Sequence, residues 1–378
     1  MNHRNTYIDL LRGIAISLVL ILHFNLAYQL IKNSTSVNSL SSQFLYLLTH
    51  NGNYGVTIFF AISGFLITTT SLKRFDGLKH VSFKIFYRLR LARIMPCLIL
   101  MLSVILIFNF FPLPIFKNKP DSPSLLLTLL SILSFWHNYL MEMRGYFNYC
   151  LNILWSLSVE EVFYIAFPIC CYLLKPRFMV LLWAALIIIG PITRYIYRDN
   201  EIVALYGYFS CFDAIAMGCC AAMIARKFYF SGFFWKMTQF SAVLLMICVY
   251  FYKPIMENIV FGISLIAFAT SILLVAASQA SDSPKVNYIL RGIGWLGQSS
   301  YELYLFHIII LALLKTFFPM NIFHNSSNKL FLFLIFIGLS VLTSSLIERY
   351  FSQPMNNFIK KSKGINSDSY VRSDPIIE

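Results

Sequence analysis

Long apolar stretches separated by short polar segments run along the whole chain. A helix that crosses a bilayer needs about 20 mostly apolar residues. Ten stretches come close to this length: residues 8–30, 52–71, 94–112, 153–174, 178–196, 202–225, 238–252, 257–278, 295–318 and 329–349. The pattern therefore predicts an all-α protein, a polytopic membrane helix bundle of about ten transmembrane helices.

The stretch 124–140 is a weaker candidate for a further span. Its strongly apolar part covers only Leu125 to Leu133, and His137, Asn138 and Glu142 follow closely. Apolar runs of about 10–14 residues are typical of re-entrant or interfacial segments. We therefore expect a re-entrant or interfacial segment near 124–140.

The distribution of lysine and arginine favours the same arrangement. With ten spans and both termini cytoplasmic, 20 of these residues fall on the cytoplasmic side and 9 on the opposite side. Counting 124–140 as an eleventh span gives 14 and 15 instead. Cytoplasmic loops carry the excess of positive charge in membrane proteins. The sequence thus predicts ten spans with both termini in the cytoplasm.

Composition excludes an ordinary soluble protein. The chain is 58% hydrophobic and 12% charged, whereas soluble domains have roughly 25% charged residues. The net charge of +14 fits loops that face anionic lipid headgroups better than nucleic-acid binding. Membrane lipids are therefore expected partners and nucleic acid is not. The eight cysteines show no metal-ligand spacing, so no metal site is expected.

The two ends of the chain are expected to differ in structure. We predict one integral membrane domain over residues 1–352 and a cytoplasmic, disordered tail over 353–378, because the sequence from Lys360 onward is polar and mixed in charge. The N-terminus has the basic start and apolar run of a signal peptide. However, Arg12 interrupts the run and no small-residue cleavage site follows it, so we expect a retained first span.

The first predicted span carries charged and titratable residues, which are costly in a bilayer and therefore candidates for function. Arg12 and His23 are eleven residues apart, share one helix face and are separated by about 16 Å. In the predicted orientation Arg12 lies near the cytoplasm and His23 in the outer half of the membrane. His23 is a candidate general base, because a histidine accepts a proton near neutral pH. The alternative is a histidine that only hydrogen-bonds a neighbouring span.

A second polar cluster opens the fourth predicted span. Ser156, Glu160 and Tyr164 recur every four residues and form one stripe on a helix. The adjacent carboxylates of Glu160 and Glu161 are costly at a membrane edge unless they are neutral or paired. This indicates a functional site, although Trp155 also fits an interfacial aromatic anchor.

Two further clusters contain basic and titratable residues. Arg90 and Arg93 are three residues apart and face the same way on a helix, and their guanidinium groups suit phosphate. The alternative is that they are ordinary cytoplasmic charges before the third span. In the ninth predicted span Tyr304 and His307 share one face. Glu302 and His307 would be buried there, and each needs a partner.

Taken in order, these clusters resemble the acyltransferase-3 family of bacterial membrane O-acyltransferases. The resemblance runs from about residue 5 to residue 352. The stretches that carry it are Tyr7-Ile-Asp9-Leu-Leu-Arg12-Gly-Ile-Ala with His23, Gly55-Val-Thr-Ile-Phe-Phe-Ala-Ile-Ser63-Gly64-Phe65, Arg90-Leu-Ala-Arg93-Ile-Met-Pro96, Trp155-Ser-Leu-Ser-Val-Glu160-Glu161-Val-Phe-Tyr164, Ser300-Tyr-Glu-Leu-Tyr-Leu-Phe-His307 and Glu348-Arg349-Tyr-Phe.

The resemblance implies transfer of an acyl group, usually acetyl, from cytoplasmic acyl-CoA to a hydroxyl of an extracytoplasmic or lipid-linked glycan. Acetyl-CoA is the expected donor, the O-antigen of lipopolysaccharide an expected acceptor, and the bacterial inner membrane the expected location. By the same resemblance His23 takes the catalytic histidine position and Glu160 the acidic position after the tryptophan. Arg90 and Arg93 take the Arg-x-x-Arg motif, and with Arg12 they are expected to bind the donor.

The proposed chemistry gives His23 the role of general base on the glycan hydroxyl. Glu160 or another buried acid would orient its imidazole, and both direct transfer and an acyl-histidine intermediate are compatible with the sequence. A transporter or flippase that moves a sugar or acyl donor without chemistry is the alternative class.

The chain also departs from the family pattern, since Thr57 stands where an acidic residue is frequent and Cys211 where arginine is frequent.

Overall fold

The structure is a computed structural model that describes residues 5–31, 40–280, 287–320 and 326–361. Over these ranges the chain forms sixteen α-helices and no strand. The helices are α1 Thr6–Tyr28, α2 Leu40–His50, α3 Tyr54–Arg74, α4 Phe83–Phe110, α5 Leu125–Leu133, α6 His137–Arg144, α7 Trp155–Leu173, α8 Pro176–Ile196, α9 Glu201–Tyr206, α10 Tyr208–Lys227, α11 Gly232–Tyr252, α12 Ile259–Gln279, α13 Tyr288–Gln298, α14 Ser300–Phe317, α15 Ser326–Ile347 and α16 Gln353–Lys361.

Ten segments of the described chain are long and apolar enough to cross a membrane. They are α1, α3, α4, α7, α8, α9 with α10, α11, α12, α14, and α15 with α16. The predicted helical bundle of about ten transmembrane helices is confirmed. The stretch 124–140 forms the short helices α5 and α6, and neither is among the ten segments.

Two of the shifts in predicted span boundaries concern helices that carry candidate site residues. Helix α4 begins at Phe83 rather than near residue 94, so Arg90 and Arg93 lie inside the helix. Arginine is a good helix former and does not interrupt it. The ninth span begins at Ser300, because α13 ends at Gln298 and leaves Ser299 between the two helices.

The stretch after residue 352 begins with a helix, which corrects the prediction of a disordered tail from residue 353. Helix α16, Gln353–Lys361, continues from α15 through a π-helical turn, Glu348–Ser352. Packing stabilises this segment, since α16 lies against α4 and helical stability in proteins comes mainly from such tertiary contacts. The remainder of the predicted tail, 362–378, lies outside the described residues.

Glycines let two helix pairs approach backbone to backbone. A Cβ atom added to Gly64 of α3 would overlap the backbone of α10, and one added to Gly218 of α10 would overlap that of α3. Gly13 of α1 and Gly297 of α13 form a second contact of the same kind. The hydrophobic effect does not drive helices together in lipid. Small residues at such crossings permit the close van der Waals packing that stabilises the helix pairs instead.

A buried ion pair joins three of the spans. Arg194 of α8 donates through both terminal nitrogens to Asp213 of α10, at 3.1 Å and 2.7 Å. Ser264 of α12 donates to the same carboxylate at 2.6 Å, and Arg194 Nε donates to the Val260 carbonyl oxygen at 3.2 Å. Gly190, one turn before Arg194, leaves the space that the carboxylate occupies. Charge and hydrogen bonds are thus both satisfied, as burial requires.

Replacement of Arg194 by methionine is expected to destabilise the protein by about 3–5 kcal/mol, because it leaves an unpaired buried carboxylate. The measurement is the midpoint of thermal unfolding in detergent micelles. Arg198→Met is the matched control, since Arg198 is exposed and lies 3.9 Å from the exposed Asp199. The double variant Arg194→Met with Asp213→Leu should recover much of the loss. Equal midpoints for Arg194→Met and Arg198→Met would contradict this account.

Helices α5 and α6 enclose a buried histidine outside the ten spans. The His137 side chain is fully buried, and its Nδ1 lies 3.1 Å from Ser131 Oγ. Burial lowers the pKa of His137 to about 4. The folded protein therefore holds this imidazole neutral at pH values where the unfolded chain protonates it.

Stability is accordingly expected to fall as the pH drops from about 6.5, the ordinary histidine pKa, to about 4. The folded state binds fewer protons in this window, so His137 contributes a loss of about 3 kcal/mol across it. Thermal midpoints measured between pH 7 and pH 4 check this, where His137→Gln should show a flatter pH dependence than wild type. The exposed His80→Gln variant serves as control, and parallel curves for wild type and His137→Gln would refute the assignment.

Candidate active site

Helices α1, α3, α4, α7 and α14 surround a cavity with about 870 Å³ of empty space, including its opening. The cavity brings the four polar clusters of the sequence together in one place. Its polar lining consists of Arg12, Ser63, Arg90, Arg93, Ser156, Glu160, Tyr164, Ser300, Tyr301 and Tyr304. Its apolar lining includes Phe59, Phe60, Leu66 and Leu305.

One part of the cavity is dominated by positive charge. The Arg90 guanidinium lies 3.3 Å from the centre of the Tyr164 ring, a cation–π contact, and its Nε makes no hydrogen bond within the described chain. Arg90, Arg93 and Arg12 all interact electrostatically with the carboxylate of Glu160. Three arginines and one carboxylate line the cavity, and Glu161, outside the lining, also interacts electrostatically with Arg90 and Arg93. The lining therefore has an excess of positive charge, which suits an anionic ligand.

Ser63 of α3 makes side-chain hydrogen bonds to α7 beside these arginines. Its hydroxyl is hydrogen-bonded to the hydroxyl of Tyr164, and it also hydrogen-bonds Glu160. Gly64, the next residue, is the one that brings α3 against α10. The Ser63-Gly64 pair therefore has two separate roles, a polar contact in the cavity and a close helix crossing.

Hydroxyl groups from α7 and α14 form another part of the lining. Tyr304 donates to the Ile153 carbonyl oxygen at 2.8 Å, so the contact of 2.7 Å between Ser156 Oγ and Tyr304 is donated by the serine. Tyr301 donates to the Ile94 carbonyl oxygen of α4 at 2.9 Å. These bonds fix α14 against α4 and the start of α7.

His23 forms a hydrogen-bonded pair with His307, one turn along α14 from the cavity residue Tyr304. The distance between His23 Nδ1 and His307 Nε2 is 2.8 Å, and the ring centroids are 4.9 Å apart. The ring centres of Tyr304 and His307 are 5.9 Å apart. His307 is fully buried, whereas His23 is partly exposed.

The predicted site residues therefore fall into two neighbouring groups. Glu160 lies with Arg12, Arg90 and Arg93 in the cavity, while the hydrogen-bond partner of His23 is a histidine instead of the expected carboxylate. His307 could be selected from the sequence as a buried titratable residue, but the pairing joins residues 284 positions apart. No periodicity within one helix can reveal such a contact.

The structure adds a contact that sequence analysis missed. Ser352 donates to Glu302 Oε1 at 2.5 Å, and Ser352 is the last residue of the π-helical turn Glu348–Ser352. Such turns insert one extra residue into a helix and occur often at functional sites. Here the turn anchors the beginning of α14, the helix that carries Tyr304 and His307.

The fold and the site together define a polytopic membrane protein with a cationic internal cavity next to a pair of histidines. The family model described as "Acyltransferase domain" matches residues 5–349. The chain belongs to this family, the acyltransferase-3 family, which confirms the resemblance seen in the motifs. Over the described residues, no group of three or more histidine, cysteine or acidic side chains could hold a metal ion.

Relatives of this chain carry the name O-acetyltransferase. The O-acetyltransferase OatA of Staphylococcus aureus (strain NCTC 8325 / PS 47) is 25% identical over 343 residues, covering 83% of this chain and 55% of the relative. OatA of strain MRSA252 is also 25% identical over 343 residues, covering 85% and 54%. The chain thus spans about half the length of these curated relatives. No solved structure is significantly similar to the chain.

Proposed function

We propose that this protein is a membrane O-acetyltransferase that transfers an acetyl group from cytoplasmic acetyl-CoA to a hydroxyl of a cell-surface or lipid-linked glycan such as O-antigen. The observation that carries the proposal is the cavity that places three arginines beside Glu160 and whose lining residue Tyr304 is one helical turn from His307, the partner of His23. The names of the relatives support acetyl as the acyl group.

The arginines are proposed to bind the donor from the cytoplasmic side. Acetyl-CoA carries several phosphates, and guanidinium groups bind phosphate through paired hydrogen bonds. Arg90 has a donor without a partner within the described chain, and Arg93 lines the cavity and is exposed. The apolar lining of the same cavity suits the uncharged arm that carries the thioester.

The acceptor is proposed to approach from the opposite face. Helix α14 continues outward from His307 to Lys315, whose ammonium lies 4.7 Å from the ring centre of Tyr149. Tyr28 of α1 donates to the Phe318 carbonyl oxygen at 3.1 Å just beyond this helix. The ammonium of Lys315 can donate hydrogen bonds to sugar oxygens there. The glycan hydroxyl then reaches the partly exposed ring of His23.

The reaction requires two proton transfers and one exchange of bonds. The acceptor hydroxyl gives its proton to Nε2 of His23, the ring nitrogen that His307 does not contact, and its oxygen attacks the carbonyl carbon of the thioester. The carbon–sulfur bond breaks, and the thiolate of coenzyme A takes the proton from His23. The products are an O-acetyl ester and free coenzyme A. General base catalysis of this kind contributes about 10²–10⁴ in rate.

The proposed location is the bacterial inner membrane, with multiple spans and both termini in the cytoplasm. Lysine and arginine support this orientation, since 20 of them fall on the proposed cytoplasmic side. In the same orientation Arg12 lies toward the cytoplasm and His23 toward the outside. Donor and acceptor are therefore proposed to meet within the bundle.

Replacing His23 by alanine is expected to lower O-acetylation by about 10²–10⁴-fold, because it removes the proposed base. The measurement is acetate released by mild alkali from the surface glycans of cells that produce the variant. The exposed His80→Ala variant, at equal membrane abundance, is the control. Undiminished ester in His23→Ala cells would refute the assignment.

A transporter without chemistry would form no labelled ester when the purified protein is incubated with labelled acetyl-CoA and extracted glycan.

Replacing Arg90 by alanine is expected to weaken acetyl-CoA binding by about tenfold or more, since hydrogen bonds to charged groups contribute about 1.5–3 kcal/mol. Calorimetric titration of the purified protein in nanodiscs with acetyl-CoA measures this. Arg226→Ala removes an exposed arginine at the end of α10 and should bind like wild type. If both variants keep wild-type affinity, Arg90 is an ordinary cytoplasmic charge.

A further inference from the structure

The hydrogen-bond partners of His307 determine where its proton lies. Its Nδ1 is 3.0 Å from the Leu303 carbonyl oxygen, and a carbonyl oxygen can only accept, so Nδ1 carries hydrogen. Within the described chain no carboxylate lies within ion-pair distance of His23 or His307. A charged imidazole would therefore be buried without a partner, which is costly. Neutral His307 has its lone pair on Nε2.

This lone pair determines the protonation of His23 in turn. The contact of 2.8 Å between His23 Nδ1 and His307 Nε2 needs one hydrogen, and it can come only from His23. A neutral imidazole carries one N–H group. With that hydrogen on Nδ1, Nε2 of His23 carries the free lone pair, which is the state a general base requires.

We propose that His307 is a positioning residue, which holds His23 in the tautomer and orientation that direct Nε2 toward the acceptor hydroxyl. The proposal concerns the proposed active site and rests on the proposed function. His307 performs the role that an orienting carboxylate performs in other base-assisted transfers, but it does so without adding charge to the site.

Polar contacts at the beginning of α14 hold His307 in place. Tyr301 is bonded to α4 and Tyr304 to the start of α7, and Glu302 receives the hydroxyl of Ser352. Three polar contacts within about one helical turn therefore precede His307. When His23 accepts a proton, its Nδ1–H bond to His307 becomes charge-assisted and shorter, and such bonds are about twice as strong as neutral ones.

The test compares His307→Leu with His307→Gln. Glutamine has a carbonyl oxygen that can accept from His23 Nδ1 in place of the imidazole nitrogen, whereas leucine fills similar space and accepts nothing. Purified variants in nanodiscs are given labelled acetyl-CoA and the de-esterified lipid-linked glycan fraction of the source cells. The turnover number and the KM for acetyl-CoA are measured separately.

We expect His307→Leu to lower the turnover number by about 10²-fold or more with the KM for acetyl-CoA within about twofold of wild type. His307→Gln should recover most of the turnover. A wild-type turnover number in His307→Leu overturns the proposal, and so does His307→Gln that is folded and as slow as His307→Leu. A purely structural role would change stability and KM together.

Nitrogen-15 spectra of histidine-labelled wild-type protein test the tautomer without any substrate. The His23 signals are assigned by their loss in His23→Ala, and the proposal requires hydrogen on Nδ1 and a bare Nε2. Hydrogen on Nε2 overturns it, and this readout holds even if a position-307 variant does not fold. The result also separates the two proposals, since failure of wild type to form an ester refutes the acetyltransferase function and leaves the tautomer as measured.

Discussion

Polar groups inside a bilayer must find their partners within the protein, because lipid offers none. This constraint explains both charged regions of the bundle. Arg194 and Asp213 satisfy each other completely and join three helices. In the cavity, Arg90 is satisfied only in part, by the ring of Tyr164 and the electrostatic influence of Glu161 and Glu160, and its Nε has no hydrogen-bond partner within the described chain. The first arrangement serves stability, and the second leaves donors for a ligand.

The same constraint decides how much the sequence could predict. The spans could be predicted because a lipid-facing helix must be continuously apolar. Every arginine predicted to bind the donor does line the cavity. The partners of the buried polar side chains could not be predicted. Arg194 pairs with a residue on another helix, and His23 with one 284 positions away, so both contacts depend on how distant helices pack. The helical segment after residue 352 was missed for the same reason, since it is stabilised by α4.

A rigid frame surrounds the proposed site. Gly64 and Gly218 allow α3 and α10 to make backbone contact. Ser63, the residue before Gly64, lines the cavity and is hydrogen-bonded to Tyr164 of α7. On the opposite side, α14 is held by Tyr301 and by Ser352 of the π-helical turn. Groups that must act together need such support from neighbouring side chains. The arginines and the histidines are thus attached to one scaffold although three helices, α1, α4 and α14, supply them.

The exchange of groups at the histidine pair has an electrical consequence for the proposed reaction. A proton moves from the acceptor hydroxyl to the sulfur of coenzyme A, and an acetyl group takes the place of that proton on the acceptor oxygen. The acceptor stays neutral and coenzyme A keeps its charge, so a complete turnover moves no net charge across the membrane. One elementary charge crossing the whole field is worth about 2.3 kcal/mol per 100 mV. Because the proposed transfer carries none, the equilibrium of acetylation would not depend on whether the membrane is energised.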